Sequence, residues 1–318
     1  MILAKAPLRV SFFGGGSDIP AHFEKWGGAT ISTAINAYVY VAVMHTPHDH
    51  IKISYSKQEL VTNVDDIQNE IVRNALKFFG IKSNIEITSF ADIPTIGNGL
   101  GGSSAFTCAL IKALSAYLGY EYVNPYLIAK TACHIEIDLC GWKIGMQDQF
   151  ASAFGGMNYI EYSNSGRIDV KRLDTMAIEN YMILIPTNVE HHAAKILDSI
   201  NFEAKTYTIR ELARMAEMQS TQLVNPFDYG RLLDSAWILK KQMSAEISSS
   251  YIDIMYDRCK DAGAYGAKLL GAGGGGYMLA ITDSKEMIRR EFSDRTCLDV
   301  GIAHEGARVV YRYLQSRY

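Results

Sequence analysis

Four short stretches hold residues whose types and spacing suit chemistry rather than packing alone. GNGLGGSSA, residues 97–105, puts four glycines (Gly97, Gly99, Gly101, Gly102) in six positions, with Asn98 and Leu100 between them. Ser103 and Ser104 then open an apolar helical run. Small residues let backbone N–H groups converge on an anion, and a helix start adds unpaired donors and partial positive charge. The segment suits a phosphate. APLRVSFFGGGSD, residues 6–18, ends a strand in Gly14–Gly16 and the pair Ser17–Asp18. It carries Arg9 inside the strand, and arginine is seldom buried unpaired. KIGMQDQFASAFGG, residues 143–156, sets Asp148 between two glutamines; alone, it reads equally well as a helix cap. KLLGAGGGGYML, residues 268–279, has five glycines in six positions before a strand. Such a run implies backbone packed closely on another backbone or on a ligand.

Three readings of the first loop compete. Gly97, Gly99 and Gly102 spell GxGxxG, and Glu121 follows at about the distance a dinucleotide fingerprint asks. The context fails: ADIPTI, with Pro94, separates the strand NIEITSF from the loop, and no strand lies between the helix and Glu121. A Walker A loop needs a lysine where Ser103 stands. What remains is a nucleotide-phosphate loop of another kind, in which a serine hydroxyl ligates the metal, or a glycine-rich turn with an ordinary Ser N-cap.

The elements that must position these residues follow from periodicity. LRVSFF, ATISTAINAYVYVAVMHT, HIKISYS and NIEITSF alternate β-branched and aromatic residues and read as strands. SSAFTCALIKALSAYLG reads as a mostly buried helix. Asn124–Pro125 marks the N-cap and first residue of PYLIAKTACHIEIDL. MNYIEYS, RIDVKRL and YMILIPT follow as strands. The helical runs HAAKILDSI, TIRELARMAEMQ and DYGRLLDSAWILKKQM come next, then a last α/β stretch closing in YMLAIT and ARVVYRYL. Strands first and mixed elements later predict an α+β protein of two domains, 1–184 and 185–318. No Gly/Ser linker marks the joint, so the domains should pack tightly.

Composition excludes several classes. The 318 residues carry a net charge of −3 with dispersed Lys and Arg, so neither a nucleic-acid footprint nor a polybasic membrane patch is present. The five cysteines show no CxxC or metal spacing and read as buried reduced thiols. The opening apolar run is broken by Lys5, Pro7 and Arg9 and is not a signal peptide. No run of apolar residues is long enough to span a membrane. The expectation is a soluble cytoplasmic protein, monomer or homo-oligomer, with no nucleic-acid or membrane partner.

Taken in order, APLRVSFFGGGSD, PTIGNGLGGSSA and KLLGAGGGGYML resemble the three motifs of the GHMP sugar and mevalonate kinase superfamily, and the resemblance covers nearly the whole chain. FFGGGSD, GMQDQFASAFGG, LLDSAWILKKQM and KLLGAGGGGY bring it nearest to the D-glycero-D-manno-heptose 7-phosphate kinases. Two departures stand out. Gly102 replaces the first serine of the second motif. TNVEHHAA has Asn188 and His191 where that family tends to carry the glycine and arginine of a TG-x-x-R element.

The resemblance implies a two-domain fold, a ribosomal-protein-S5-like N-terminal domain and a ferredoxin-like α/β C-terminal domain. It implies an ATP- and Mg²⁺-dependent kinase acting on the anomeric hydroxyl of a heptose 7-phosphate. Another sugar kinase (galactose, fucose or unphosphorylated heptose) and a non-catalytic ligand sensor are the alternatives. By the same resemblance, residues 97–104 cradle the triphosphate. Ser103 and Glu136 hold Mg²⁺, which needs only one or two protein oxygens. Asp148 accepts or orients the hydroxyl proton, with Arg9 beside it to favour the ionised form. Gly16, Ser17, Asp18 and His191 meet the sugar. Lys143 and Lys240 are further phosphate contacts to weigh against a solvated role, and Trp237 reads as core. The glycines of the third motif should back the phosphate loop.

Overall fold

The computed structural model describes residues 1–94, 97–120, 123–174, 178–189, 193–221 and 225–313. The chain runs β1 (Ile2–Phe13), α1 (Pro20–Trp26), β2 (Gly28–His45), β3 (Ile51–Ser54), β4 (Gln58–Val61), α2 (Glu70–Phe78) and β5 (Ile85–Ala91). It continues through α3 (Gly102–Tyr117), α4 (Pro125–Cys133), α5 (Gln147–Phe154), β6 (Met157–Tyr162), β7 (Ile168–Arg172) and β8 (Met182–Pro186). Then come α6 (Ala193–Ser199), α7 (Thr206–Gln219), α8 (Pro226–Lys241), α9 (Ser250–Asp261), β9 (Gly266–Leu269), β10 (Tyr277–Ile281), α10 (Lys285–Glu291), β11 (Leu298–Asp299) and β12 (Arg308–Arg312).

Two sheets organise the molecule. The first has the order β12-β1-β2-β5-β3-β4, with β6 on β2 and β7 on β6; the second is β11-β8-β10-β9. The long β2 makes this possible. Its first half, Gly28–Thr33, pairs with β6, and its second half, Val39–His45, pairs with β5. β1 runs antiparallel to nearly all of β2, with a register shift between Pro7 and Arg9. Proline has no N–H to give a ladder, so it is tolerated where the ladder is already interrupted.

The sheets do not divide the chain at 184/185. β8 lies across that point, and the closing segment ARVVYRYL returns as β12 to the first sheet, on β1. The domains pack tightly. Phe12 and Phe13 each meet Tyr229 of α8 edge-on, with centroids 5.2 Å apart. Gly99 and Gly271 face each other so closely that a Cβ on Gly271 would stand 2.5 Å from the Gly99 Cα.

α3 is buried on nearly every side, as its composition predicts, and packs on β1 and β2. Asn124 caps α4 by accepting a bond from the Leu127 amide. The predicted single helix over PYLIAKTACHIEIDL is not continuous: after Cys133 it widens into a π-helical turn over His134–Leu139. That turn buries two consecutive residues, Ile135 and Glu136, and such turns are frequent at functional sites. α2, capped by Asn69, and the short β4 are elements that the sequence reading passes over. All five cysteines are free thiols; Cys108, Cys133 and Cys259 are buried. No helix among the described residues is long and apolar enough to cross a membrane.

Candidate active site

The three motifs meet in one cleft of about 1260 Å³ between the sheets. Around β5, β3 and β4 it is lined by Tyr55, Ser56, Asn69, Phe90 and Ile93, a recess with two aromatic rings; Gly15, Gly16, Asp18, Gly145, Gln147 and Met243 form a second, more polar part of the lining. The loop before α3 lines the same cleft.

That loop is built by left-handed glycines. Gly97, Gly99 and Gly101 all have positive φ, and Gly101 (φ 72°) is the N-cap of α3. No side chain caps the helix, so the ordinary Ser N-cap is not what the serines provide. The first helical bond runs from the Ala105 amide to the Gly101 carbonyl at 2.9 Å. The amides of Gly102, Ser103 and Ser104 precede it and are available to an anion. Asn98 braces the loop. Its Nδ2 donates to the Pro94 carbonyl at 2.6 Å, and its Oδ1 accepts the Leu100 amide at 2.8 Å. Leu100 is fully buried with its amide so used, and its carbonyl accepts the Arg9 amide. The expectation that Leu100 binds the nucleotide is therefore corrected: it shapes the loop.

Arg9 and Asp148 form the centre of the site. Arg9 is 5% exposed. Its Nε and one terminal nitrogen each donate to an Asp148 carboxylate oxygen at 2.5 Å, and the other terminal nitrogen donates to the Gly99 carbonyl at 2.6 Å. One guanidinium thus ties the strand, the glycine loop and α5 together, in the two-pronged geometry that suits a carboxylate. Asp148 lies in the first turn of α5 and is not its N-cap. Its side chain keeps 24% exposure toward the cleft.

Asp18 is buried in the polar part. Its carboxylate accepts the amides of Gly16 (2.9 Å) and Gln147 (3.1 Å). Burial, with a smaller push from Asp148, raises its pKa, and those two amides oppose the rise. Gly145 makes room for it: a Cβ there would stand 1.9 Å from an Asp18 oxygen. Ser17 is a correction. It is wholly buried, and its hydroxyl donates toward the Gly14 and Ala29 carbonyls and accepts the Ala29 amide. It closes the turn and does not face a substrate. Gly16 lines the cleft. His191 lies outside the described residues, as does Glu121. Asn188 has φ +57°, the conformation for which a glycine would serve and which Asn tolerates best of the other residues.

The expected metal pair differs in burial: Ser103 lines the cleft, while Glu136 lies beneath it against the next residue, Ser104. Ser103 is exposed and lines the cleft. Glu136 is completely buried and accepts bonds from Ser104 Oγ (2.9 Å), Thr107 Oγ1 (2.5 Å) and Gln149 Nε2 (2.5 Å). Burial pushes its carboxyl up to about 7 against the pull of those donors. Its donors are neutral and enclose it, so the residues as arranged do not fit a shared Ser103–Glu136 metal site. Ser104 likewise aims its hydroxyl at Glu136 and offers the cleft only its amide.

Lys143 is exposed and stands 3.6 Å from Asp198. Trp237 is core. Sequence reasoning missed the aromatic recess, whose residues are scattered over four segments, and it missed Gln147. The Gln147 Oε1 accepts the Ser11 hydroxyl at 2.7 Å, which leaves its amide nitrogen beside Gly15. The neighbourhood of Asp148 was the available signal. Lys268, which begins the third motif, also lines the cleft.

The N-terminal domain of the GHMP kinases matches residues 66–156, and their C-terminal domain matches residues 228–294. A D-glycero-alpha-D-manno-heptose 7-phosphate kinase of Campylobacter jejuni is 30% identical over 310 residues, 89% of each chain. This chain belongs to the GHMP kinase family. It has the family's two-domain fold of mixed α+β domains and is an ATP-dependent kinase of a small molecule. ATP–Mg²⁺ catalysis is typical of that family. A mevalonate kinase of Thermococcus sibiricus is 26% identical over 323 residues, 90% of each chain. The crystal structure of a D-glycero-D-manno-heptose 1-phosphate kinase from Bacteroides thetaiotaomicron superposes with a TM-score of 0.80 at 22% identity, covering 99% of this chain and all of that one. At that identity, the likeness shows the fold.

Proposed function

We propose that this GHMP kinase transfers the γ-phosphoryl group of ATP to the anomeric hydroxyl of D-glycero-D-manno-heptose 7-phosphate. The observation that carries the reading is the Arg9–Asp148 pair, set at the junction of the glycine loop and the polar part that holds Asp18. The Campylobacter relative, named as a heptose 7-phosphate kinase, supports the choice of acceptor.

Phosphoryl transfer asks the protein mainly for in-line positioning and charge compensation. The aromatic recess takes the nucleobase. The amides of Gly102, Ser103 and Ser104 take phosphate oxygens, with the rest of residues 97–104 shaping the cradle. Asp18 and the amide of Gln147 receive acceptor hydroxyls. Asp148 lies where the reacting hydroxyl arrives and takes or orients its proton. Arg9 holds Asp148 in place and, through the Gly99 carbonyl, fixes its distance from the loop. Mg²⁺ bound with the triphosphate would offset phosphate charge, and of the two expected ligands only Ser103 lines the cleft. Glu136 in this arrangement holds the start of α3. For folding, the division at residues 184/185 stands as a proposal for two units, with β12 crossing back to complete the first.

The test is ADP release by the purified protein across phosphorylated and unphosphorylated sugars, with the product's phosphate located by ³¹P NMR. Turnover should be highest with the heptose 7-phosphate and yield a C1 phosphate. Higher turnover with galactose, fucose or unphosphorylated heptose would replace the acceptor. Saturable binding with no turnover on any sugar would favour a sensor.

A further inference from the structure

Two ammonium groups in the cleft have no part in that mechanism. Lys268, on β9, is 4% exposed. Its Nζ donates to the carbonyls of Ser11 (3.2 Å) and Phe12 (2.5 Å), at the end of β1 in the other sheet. Lys240, at the end of α8, is half-buried and donates to the carbonyls of Leu269 (3.1 Å) and Gly271 (2.6 Å). Both side chains line the cleft.

An ammonium carries three N–H groups. Each lysine spends two on carbonyls, and the third has no protein acceptor among the described residues. Neither lysine has a carboxylate within ion-pair reach among those residues. The charges that act on them are positive: Arg9 on both, and Lys268 on Lys240. Burial first, then these repulsions, lowers both pKa values, that of Lys268 to about 7. The nearby Asp148 is already matched by Arg9. Buried cations without counter-ions are costly, and main-chain dipoles compensate only in part. With both lysines protonated the charge to be answered is at most two units, and an anion with several acceptor oxygens would answer it and hold the ammonium forms against the downward shift. A phosphate dianion meets both conditions.

We infer that Lys240 and Lys268 form a phosphate-binding site on the second-sheet wall of the cleft, completed only by a phosphorylated ligand. The inference rests on the kinase reading, which supplies two sources of phosphate. The Gly271 carbonyl beneath Lys240 belongs to the glycine run that packs on Gly99, toward the nucleotide. The Ser11 and Phe12 carbonyls beneath Lys268 lead into the Gly14–Asp18 turn, toward the acceptor. On the kinase reading, Lys240 thus falls on the side of the terminal phosphate of ATP and Lys268 on the side of any phosphate borne by the sugar.

The experiment measures binding of AMP-PNP, ADP, adenosine, heptose 7-phosphate and unphosphorylated heptose by calorimetry to the full chain and to Lys240→Met, Lys268→Met and the double variant. The site predicts at least a tenfold loss for a phosphorylated probe, with adenosine unchanged. Loss for AMP-PNP but not ADP assigns the terminal phosphate. Loss for the heptose phosphate but not for heptose assigns the acceptor's. Unchanged affinity for every phosphorylated probe in a folded variant, or equal losses including adenosine, would overturn the site and leave the lysines as staples between backbones. Should the variants fail to fold, acetic anhydride labelling of the wild-type protein decides. Protection of Lys240 or Lys268 by a phosphorylated probe and not by adenosine supports the site, and no protection overturns it. Wild-type ADP release is measured in parallel. Turnover without lysine effects defeats this inference alone, and lysine effects without turnover defeat the kinase reading alone.

Discussion

Asp148 meets a guanidinium; Glu136, buried beside the start of α3, meets two hydroxyls and an amide. Both are acidic residues in helical turns, and both contact the machinery around the glycine loop. One is partly open to the cleft with its charge matched by a cation, and the other is sealed among neutral donors with its carboxyl raised to about 7. The difference teaches that proximity to a phosphate loop does not make a carboxylate reactive. What decides is whether the protein supplies a cation and an opening, or only hydrogen bonds and burial.

Breaking the first member of that comparison should have the largest effect. Asp148→Asn keeps the shape and removes the acceptor of the proton, so kcat should fall by about 10²–10⁴ while nucleotide binding survives. A variant with near-normal turnover would remove Asp148 from the chemistry. The second member is read in stability rather than rate. A carboxyl raised from 4.5 to about 7 in the native protein binds its proton more tightly when folded. Its stabilising contribution is full below pH 4.5 and is lost as pH climbs through 7, a change of roughly 3 kcal/mol. Glu136→Gln should flatten that part of the pH dependence of Tm and leave Mg²⁺ dependence of turnover intact. An unaltered pH slope, or a collapse of Mg²⁺ affinity, would make Glu136 charged and metal-bound after all.

A smaller effect tests the space around the site. Gly145→Ala would push a methyl into the Asp18 carboxylate. A displacement of that size should lower kcat/KM for the sugar by up to about 10²-fold with KM for ATP unchanged; equal losses for both substrates would point to wider damage. The smallest concerns Asn188. In its left-handed conformation, Asn188→Gly should be nearly neutral and Asn188→Ala should cost about 1 kcal/mol in urea titrations. Two equal midpoints would refute the strain argument.

The same contrast explains what was legible in the sequence. Glycine runs, the Arg9 strand and the Asp148 segment are local signals, and their meeting in one cleft follows from three motifs in order. Most strands and helices follow from periodicity. Ser17 and Glu136 were misplaced because burial is a tertiary property: nothing in GGGSD says that the hydroxyl turns inward to Gly14 and Ala29, and nothing in CHIEIDL says that a π turn will sink the carboxylate. Lys240 was in view as a phosphate contact, but Lys268 was opaque for the same reason, since its partners are carbonyls, which every residue has. The return of ARVVYRYL to the first sheet was hidden by its distance along the chain from β1.

That return has a consequence for biogenesis. β1 borders β2 on one side, and on the other its first residues, Ile2–Lys5, stay bare until Arg308–Arg312 has been made. At ordinary synthesis rates the interval is about 15–60 s, long enough for an unpatched strand edge to recruit a neighbour. A chaperone that shields nascent edges should therefore raise the soluble yield of this kinase more than it raises that of a truncated form lacking β12, which never gains the closing strand.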